Sequence, residues 1–385
     1  MKESPILAGL KTYPFVRLTD AKRELLARGV EVVDFGIGEP REDTAPFIRD
    51  ALTAALAPKS TYPLAEGLPE LREAVAAWIA RRFGPTLDPD TEVLPTLGSK
   101  EAIFHLAQVV GGDFVAVTTP GYPVAERGAA FAGKQVLELP LVAERGFLPD
   151  LAAVDWSRVG ILWLNYPNNP TAASAPLELY ERAAEIARRH DVVVASDEAY
   201  SEIYFGEVPP VSALEVGDRR GVIAFNTLSK RSSMPGYRSG FVAGDPEVIA
   251  ALKRYRPNVG VAPPEFIQRA AVAAWEDEAH VEDVRALYRA KRDVLLPIFE
   301  AAGIYHAGGD ATFFLWLDAG QRADPLAAAL LDRGVVLAPG SFFGPAGEGF
   351  LRLALVPTLA ECERAAALLA SVVGVQGGVE PGPGA

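Results

Sequence analysis

A lysine, an arginine eight residues later and two hydroxyls share the run NTLSKRSSMPGYRSG, as Thr227, Ser229, Lys230 and Arg238, with Gly236 and Gly240 close by. Two hydroxyls and a guanidinium are donors suited to a dianionic phosphate, and a primary amine beside them can form a Schiff base. A lysine alone is usually a solvated surface charge, so the inference rests on its company. Upstream, SDEAYSEIYF follows the apolar run VVVA, which puts Asp197 at a strand end and Tyr200 three residues on, in the next loop. A carboxylate beside a pyridine nitrogen keeps that ring an electron sink, as pyridoxal chemistry requires. A phenol such as Tyr200 and an amide such as Asn169, in NYPNNPT, can hydrogen-bond a phenolate oxygen and tune a Schiff base. Singly, Asp197 reads as a turn or capping residue and Asn169 as a turn residue before proline. Together with the lysine run they suggest pyridoxal 5'-phosphate.

Such residues need strands that end along one rim. The hydrophobic period along the chain keeps switching between helical and strand-like, without a repeat of fixed length, which is the α/β pattern. Residues 66–83 carry Leu71, Val75, Trp78 and Ile79 at helical spacing before Gly84-Pro85 stops them. Short runs at 114–118, 160–164, 192–195, 222–225 and 241–243 are apolar on both faces, as strands of a covered, mostly parallel sheet are. A helix over 176–190, with Pro176 in its first turn, lies between two of them as a βαβ crossover. Ligands of such sheets sit outside the carboxyl ends of the strands. After Pro263-Pro264 a long helical stretch runs to Gly303, and strands at 312–317 and 350–355 surround a helix over 324–333. The expected organisation is an N-terminal segment (1–45) joining a small domain, a large cofactor-binding domain (46–285), a small α+β domain (286–374) and a frayed Gly- and Pro-rich tail (375–385).

With 385 residues, 49% hydrophobic and 23% charged, the chain can bury a large core without staples. Its net charge of −13 disfavours nucleic-acid binding, which needs cations along a phosphate backbone. Neither a secretory signal nor a membrane-length apolar run is present. The single cysteine, Cys362, in the helical-looking LAECERAA, reads as a bland buried residue of a reducing, cytoplasmic protein. The four histidines, His105, His190, His280 and His306, lack metal-ligand spacing, so no metal site is expected. GIGEP at 36–40 lacks the third glycine of a dinucleotide loop and carries a proline.

The ordered set PGYP, NYPNNPT, SDEAY, TLSK and Arg238 resembles the class I/II aminotransferases of pyridoxal-phosphate fold type I, over roughly residues 13–369. That resemblance implies a mostly parallel central sheet covered by helices, with a smaller α+β domain. It makes Lys230 the Schiff-base anchor and proton-transfer base, Arg238 the phosphate arginine, and Asp197, Tyr200 and Asn169 the residues around the ring. Tyr122 of PGYP would stack on the cofactor, while Ser99 and Lys100 would offer backbone amides to its phosphate from a helix N-terminus, a natural anion site. In FLRLAL, Arg352 would clamp the substrate α-carboxylate, which a planar guanidinium reads bidentately, with Gly38 and Asn169 beside it. Tyr62 would reach the phosphate of a neighbouring subunit in a homodimer. Two departures stand out: Ala172 replaces the glycine usual after NNPT, and Thr227 replaces a serine. The two ends of the chain are most similar to bacterial N-succinyldiaminopimelate aminotransferases, with glutamate as amino donor and N-succinyl-2-amino-6-oxopimelate as acceptor. Lys11, Arg17 and Lys100 are candidate cations for the distal end of that substrate. LL-diaminopimelate, alanine, aspartate and aromatic aminotransferases share the same residues, as do β-eliminating C–S lyases.

Overall fold

The computed structural model describes residues 1–9, 15–59, 61–260 and 262–376. Among them β1 (Val33–Asp34) comes first, and seven strands follow: β2 (Val93–Thr96), β3 (Phe114–Thr119), β4 (Gln135–Pro140), β5 (Val159–Asn165), β6 (Val193–Asp197), β7 (Val222–Thr227) and β8 (Gly240–Gly244). Five short ones end the set: β9 (Tyr305–His306), β10 (Phe314–Asp318), β11 (Val335–Val336), β12 (Ala338–Pro339) and β13 (Phe350–Ala354).

The large sheet runs β2-β8-β7-β6-β5-β3-β4. Only β8 opposes its neighbours; the pairs from β7 to β4 are parallel. Every residue of β5 (VGILWLN) is buried, because helices cover both faces of the sheet. Side chains alternate between those faces. Ile161 and Trp163 pack with Ile103, Leu106 and Leu252 on one side, and Leu162 and Leu164 with Leu179, Tyr180 and Ala183 on the other. Burial of each such aliphatic side chain stabilises the fold by about 1.5–3 kcal/mol. The second face extends over Trp78, Phe241 and Trp275, from the helices Pro69–Phe83 and Glu265–Glu276. A four-stranded sheet, β12-β13-β10-β9, packs against the helices Ala279–Glu300 and Leu359–Gln376 around Phe299, Leu315 and Leu369. From the N-terminal segment, β1 pairs in parallel with β11.

Several boundaries differ from the sequence reading. The helix expected from residue 66 starts at Pro69, since Gly67 turns at φ 76 and its site has no room for a Cβ beside Pro95. Pro176 is the N-cap of the helix Leu177–His190, one position before the first turn. The stretch after Pro264 divides into Glu265–Glu276 and Ala279–Glu300, where Asp277 leaves the helix and its carboxylate accepts the His280 N–H at 3.0 Å. β2 and β4 escaped notice because both are edge strands: one carries Pro95, which an edge tolerates, and the other is largely exposed. The last helix runs to Gln376, two residues into the expected tail, and positions 377–385 of that tail lie outside the described residues.

Candidate active site

Three neighbouring parallel strands end in polar residues: β5 in Asn165, β6 in Asp197 and β7 in Thr227. All three line a cavity of about 840 Å³ at the carboxyl rim of the sheet. Burial pushes the Asp197 carboxyl up to about 6, against the opposing pull of the Ala199 N–H and of Lys230. A cationic ring nitrogen beside it would favour its ionised form.

Lys230 follows β7 on a single helical turn, Leu228–Arg231, whose N-cap is Thr227 accepting the Ser229 N–H. The next two side chains anchor that turn: Arg231 donates to the Ala274 carbonyl at 3.1 Å, and Ser232 Oγ meets His280 Nε2 at 2.8 Å. The lysine amine donates to the Gly38 carbonyl at 2.8 Å and lies 5.3 Å from the ring centre of Phe313. Burial lowers its pKa to about 8; Glu39 opposes the shift, while the cations Arg352 and Arg238 add to it. About a tenth of the amine is then neutral at pH 7, far more than for an ordinary lysine. Tyr200 packs edge-on against Phe313 and Phe314, and burial keeps its phenol protonated.

An anion cradle occupies one end of the cavity. Ser99 opens the helix Ser99–Val109, so its first N–H groups have no partner within the helix. Thr227, Ser229 and Arg238 line the same end. Arg238 donates to the Pro235 and Leu97 carbonyls at 2.8 and 3.2 Å. Gly98, at φ 69, admits it: a Cβ there would stand 2.5 Å from the guanidinium. Thr227 keeps the hydroxyl that its departure from serine put in question, joined to Ser229 Oγ at 2.9 Å.

At the other end Arg352 on β13 is buried, donating to Asn169 Oδ1 at 2.8 Å and to the Gly36 carbonyl at 2.6 Å. Its guanidinium lies 4.4 Å from the ring centre of Phe314 and 4.6 Å from that of Phe343. Gly38 sits against Phe314, with no room for a Cβ. The turn after Asn169 keeps the shape a glycine would give, for Ala172 takes φ 62 and its N–H reaches the Asn168 carbonyl at 2.9 Å.

The sequence candidates Gly38, Ser99, Lys100, Tyr122, Asn169, Asp197, Tyr200, Thr227, Ser229, Lys230, Arg238 and Arg352 all line this one cavity. Tyr62 does not: its side chain is 94% exposed. Lys11 lies outside the described residues, and Arg17 belongs to the helix Phe15–Ala27. Asn165, Glu39, Phe314 and Phe343 line the cavity without having been singled out. An asparagine closing an apolar strand was a usable signal for Asn165, whereas the aromatic contacts depend on how β10 and β13 fold. Among the described residues no acidic, histidine or cysteine cluster could hold a metal, and no helix is long and apolar enough to cross a membrane. Cys362 is buried, with its thiol pushed up to about 11 by that burial. An amine, a carboxylate at a strand end, a phenol and an anion cradle make a donor set that fits pyridoxal phosphate.

The family model for aminotransferase class I and II matches residues 30–369. An LL-diaminopimelate aminotransferase of Nitratidesulfovibrio vulgaris (strain DP4) is 40% identical over 379 residues, covering 95% of this chain and 98% of that relative. Among solved structures, an aminotransferase of Neisseria meningitidis Z2491 aligns with TM-score 0.89 and 36% identity, over 96% of this chain and all (100%) of its own. A Thermus thermophilus chain named "probable N-succinyldiaminopimelate aminotransferase" aligns with TM-score 0.84 and 31% identity, over 93% and 99% of the two chains. The chain belongs to the class I and II aminotransferases, enzymes of pyridoxal-phosphate fold type I, and is a pyridoxal-phosphate-dependent transaminase.

Proposed function

We propose that this transaminase moves an amino group between glutamate and the seven-carbon skeleton of LL-diaminopimelate, in the lysine branch of amino-acid biosynthesis. The observation that carries the proposal is one buried arginine, Arg352, facing the same cavity as Lys230, with Lys100 and Glu39 also lining it. Glutamate and diaminopimelate both carry an α-carboxylate, so one clamp serves both half-reactions. The far end of free diaminopimelate is zwitterionic, and the cavity lining includes, in Lys100 and Glu39, charges of both the signs that end requires. The name of the Nitratidesulfovibrio relative supports this reading. A second reading, the N-succinylated acceptor, is favoured by the name of the Thermus neighbour and by the two ends of the sequence.

When bound, pyridoxal phosphate supplies a ring that withdraws electrons from the substrate α-carbon. The Lys230 amine would take the proton from the substrate α-carbon and deliver it to the cofactor carbon joined to the substrate nitrogen, a task suited to a base with a pKa near 8. Gly38 holds that amine through its carbonyl. Asp197 would meet the ring nitrogen, Tyr200 and Asn169 would hydrogen-bond the phenolate oxygen, and Tyr122 would pack on the ring. Thr227, Ser229, Arg238 and the amides of Ser99 and Lys100 would hold the phosphate. Phe314 and Phe343 keep water from Arg352, which strengthens its hold on a carboxylate. The same reading divides the chain into a joining segment (1–45), a large domain (46–285), a small domain (286–374) and a tail (375–385). It also makes the active unit a cytoplasmic homodimer, with Tyr62 directed to the partner's phosphate.

The test is kcat/KM with glutamate as donor and tetrahydrodipicolinate, N-succinyl-2-amino-6-oxopimelate, pyruvate, oxaloacetate and phenylpyruvate as acceptors. The expected result is a preference for tetrahydrodipicolinate of at least about tenfold, or about 1.4 kcal/mol in the transition state. A tenfold lead for the succinylated acceptor selects the second reading, and a lead for a small or aromatic acid defeats both. Release of ammonia and pyruvate from an S-substituted cysteine, offered without any keto acceptor, would identify a β-eliminating lyase instead.

A further inference from the structure

We infer that Asn165 is a positioning residue that sets Asp197 and Asn169 relative to one another, and through Asn169 the carboxylate clamp. Asn165 is the last residue of β5, is buried and lines the cavity. Its Nδ2 donates to the Asp197 carbonyl at 2.9 Å, and its Oδ1 accepts the Asn169 N–H at 3.1 Å. Its own carbonyl accepts Asn168 Nδ2 at 3.1 Å. Asn169 Oδ1 in turn accepts from Arg352 at 2.8 Å. One side chain therefore ties together the backbones of Asp197 and Asn169, whose side chains are proposed for the ring nitrogen and the phenolate oxygen, and through Asn169 it reaches the arginine for substrate.

The location explains why a side chain is needed. β5 and β6 are in register up to the pair Asn165 and Asp197, and there the ladder stops. Beyond it the chain turns through Tyr166-Pro167 and Asn169-Pro170, whose prolines have no N–H to give to a neighbouring strand. The carboxamide supplies both a donor and an acceptor across that gap, which no other side chain of its length can do. Aspartate keeps the acceptor and loses the donor. Leucine keeps the volume and loses both.

The inference rests on the cofactor and substrate placement proposed above. Its test compares wild type, Asn165→Leu and Asn165→Asp as holoenzymes, by pH titration of the cofactor's visible absorbance, by cofactor dissociation constant, and by KM and kcat for glutamate. With Asn165→Leu the titration midpoint should rise by at least about 0.5 pH units, because a displaced Asn169 amide no longer supports negative charge on the phenolate oxygen. KM should rise at least fivefold as the clamp loosens. Asn165→Asp keeps the Asn169 bond, so its KM should stay within about threefold, while its cofactor binding weakens through the lost Asp197 bond. A purely structural role would lower the melting temperature and leave the midpoint in place. A midpoint within 0.2 units and a KM within twofold of wild type in Asn165→Leu overturns the inference. If that variant does not fold, an unchanged cofactor dissociation constant in Asn165→Asp overturns it instead. Loss of the visible band in Lys230→Ala reads the site itself, so failure there is separate from failure at Asn165.

Discussion

Two carboxyl groups follow one another at the end of β6, and the same cause moves both. Burial pushes Asp197 up to about 6 and Glu198 up to about 7. Their surroundings differ: Asp197 lines the cavity, whereas Glu198 accepts the Ala213 N–H at 2.8 Å, away from it. An unfolded glutamate titrates near 4.3, so the folded chain holds this proton more tightly than the unfolded one between roughly pH 4 and 7. The contribution to stability is full below the unfolded value and is lost as the pH climbs through 7. Glu198→Gln keeps an acceptor for Ala213 and removes the titration. Its melting temperature relative to wild type should therefore rise between pH 5 and pH 8, by an amount equivalent to roughly 3 kcal/mol. A difference that stays flat across that range refutes the assignment. That Lys230, Asp197, Arg238 and Arg352 belong together was legible in the sequence, the first three from side-chain type and spacing and Arg352 from the family resemblance, and the fold brings all four to one cavity. Asn165 left only the faint signal of an amide closing an apolar strand and Phe314 left none, because their contacts, with a backbone carbonyl and a guanidinium, are supplied only by the folded register.

At the scale of elements, the segment between β1 and the helix Pro46–Ala54 joins parts distant in sequence. Its Gly36 and Gly38 carbonyls take two of the cavity's cations, Arg352 and Lys230. Thr44 donates to the Ser233 carbonyl at 2.8 Å, and Glu42 pairs with Lys291, whose side chain is wholly buried in the helix Ala279–Glu300. The two halves of that ion pair are not equivalent. Removing Glu42 leaves an uncompensated buried ammonium, a loss of about 3–5 kcal/mol, while Lys291→Met leaves a carboxylate that is 22% exposed and can be hydrated. Glu42→Ala should lower the urea midpoint far more than Lys291→Met does, and equal midpoints would contradict that asymmetry. The pairing was invisible in the sequence, where the two residues lie 249 positions apart. Strands that are buried on both faces, such as β5, announced themselves by composition. Edge strands did not, since β2 and β4 lack a continuous apolar run, and the break at Asp277 depends on a cap to His280.

For the whole molecule, charge and surface bear on how many chains make a site. The net charge of −13 coexists with a cavity lined by Lys100, Lys230, Arg238 and Arg352 against the carboxyl groups of Glu39 and Asp197, so the local balance of charge opposes the overall one. The cavity is lined without Tyr62, a large aromatic standing 94% exposed, with Leu56 and Leu64 exposed close by in sequence. A proposed homodimer in which Tyr62 enters the partner's site accounts for both facts. Lys230→Ala chains then lack their own base but still lend a tyrosine, and Tyr62→Ala chains keep the base but lend none. In a hybrid dimer one site has lost both groups and the other has kept both. Random mixing of equal amounts makes hybrids about half of all dimers, so activity should recover to about a quarter of wild type, above the average of the two parents. The measurement is glutamate turnover after joint refolding, with tagged chains confirming that hybrids form. Hybrids that form without regaining activity would mean that each chain completes its site alone, with Tyr62 serving only the surface.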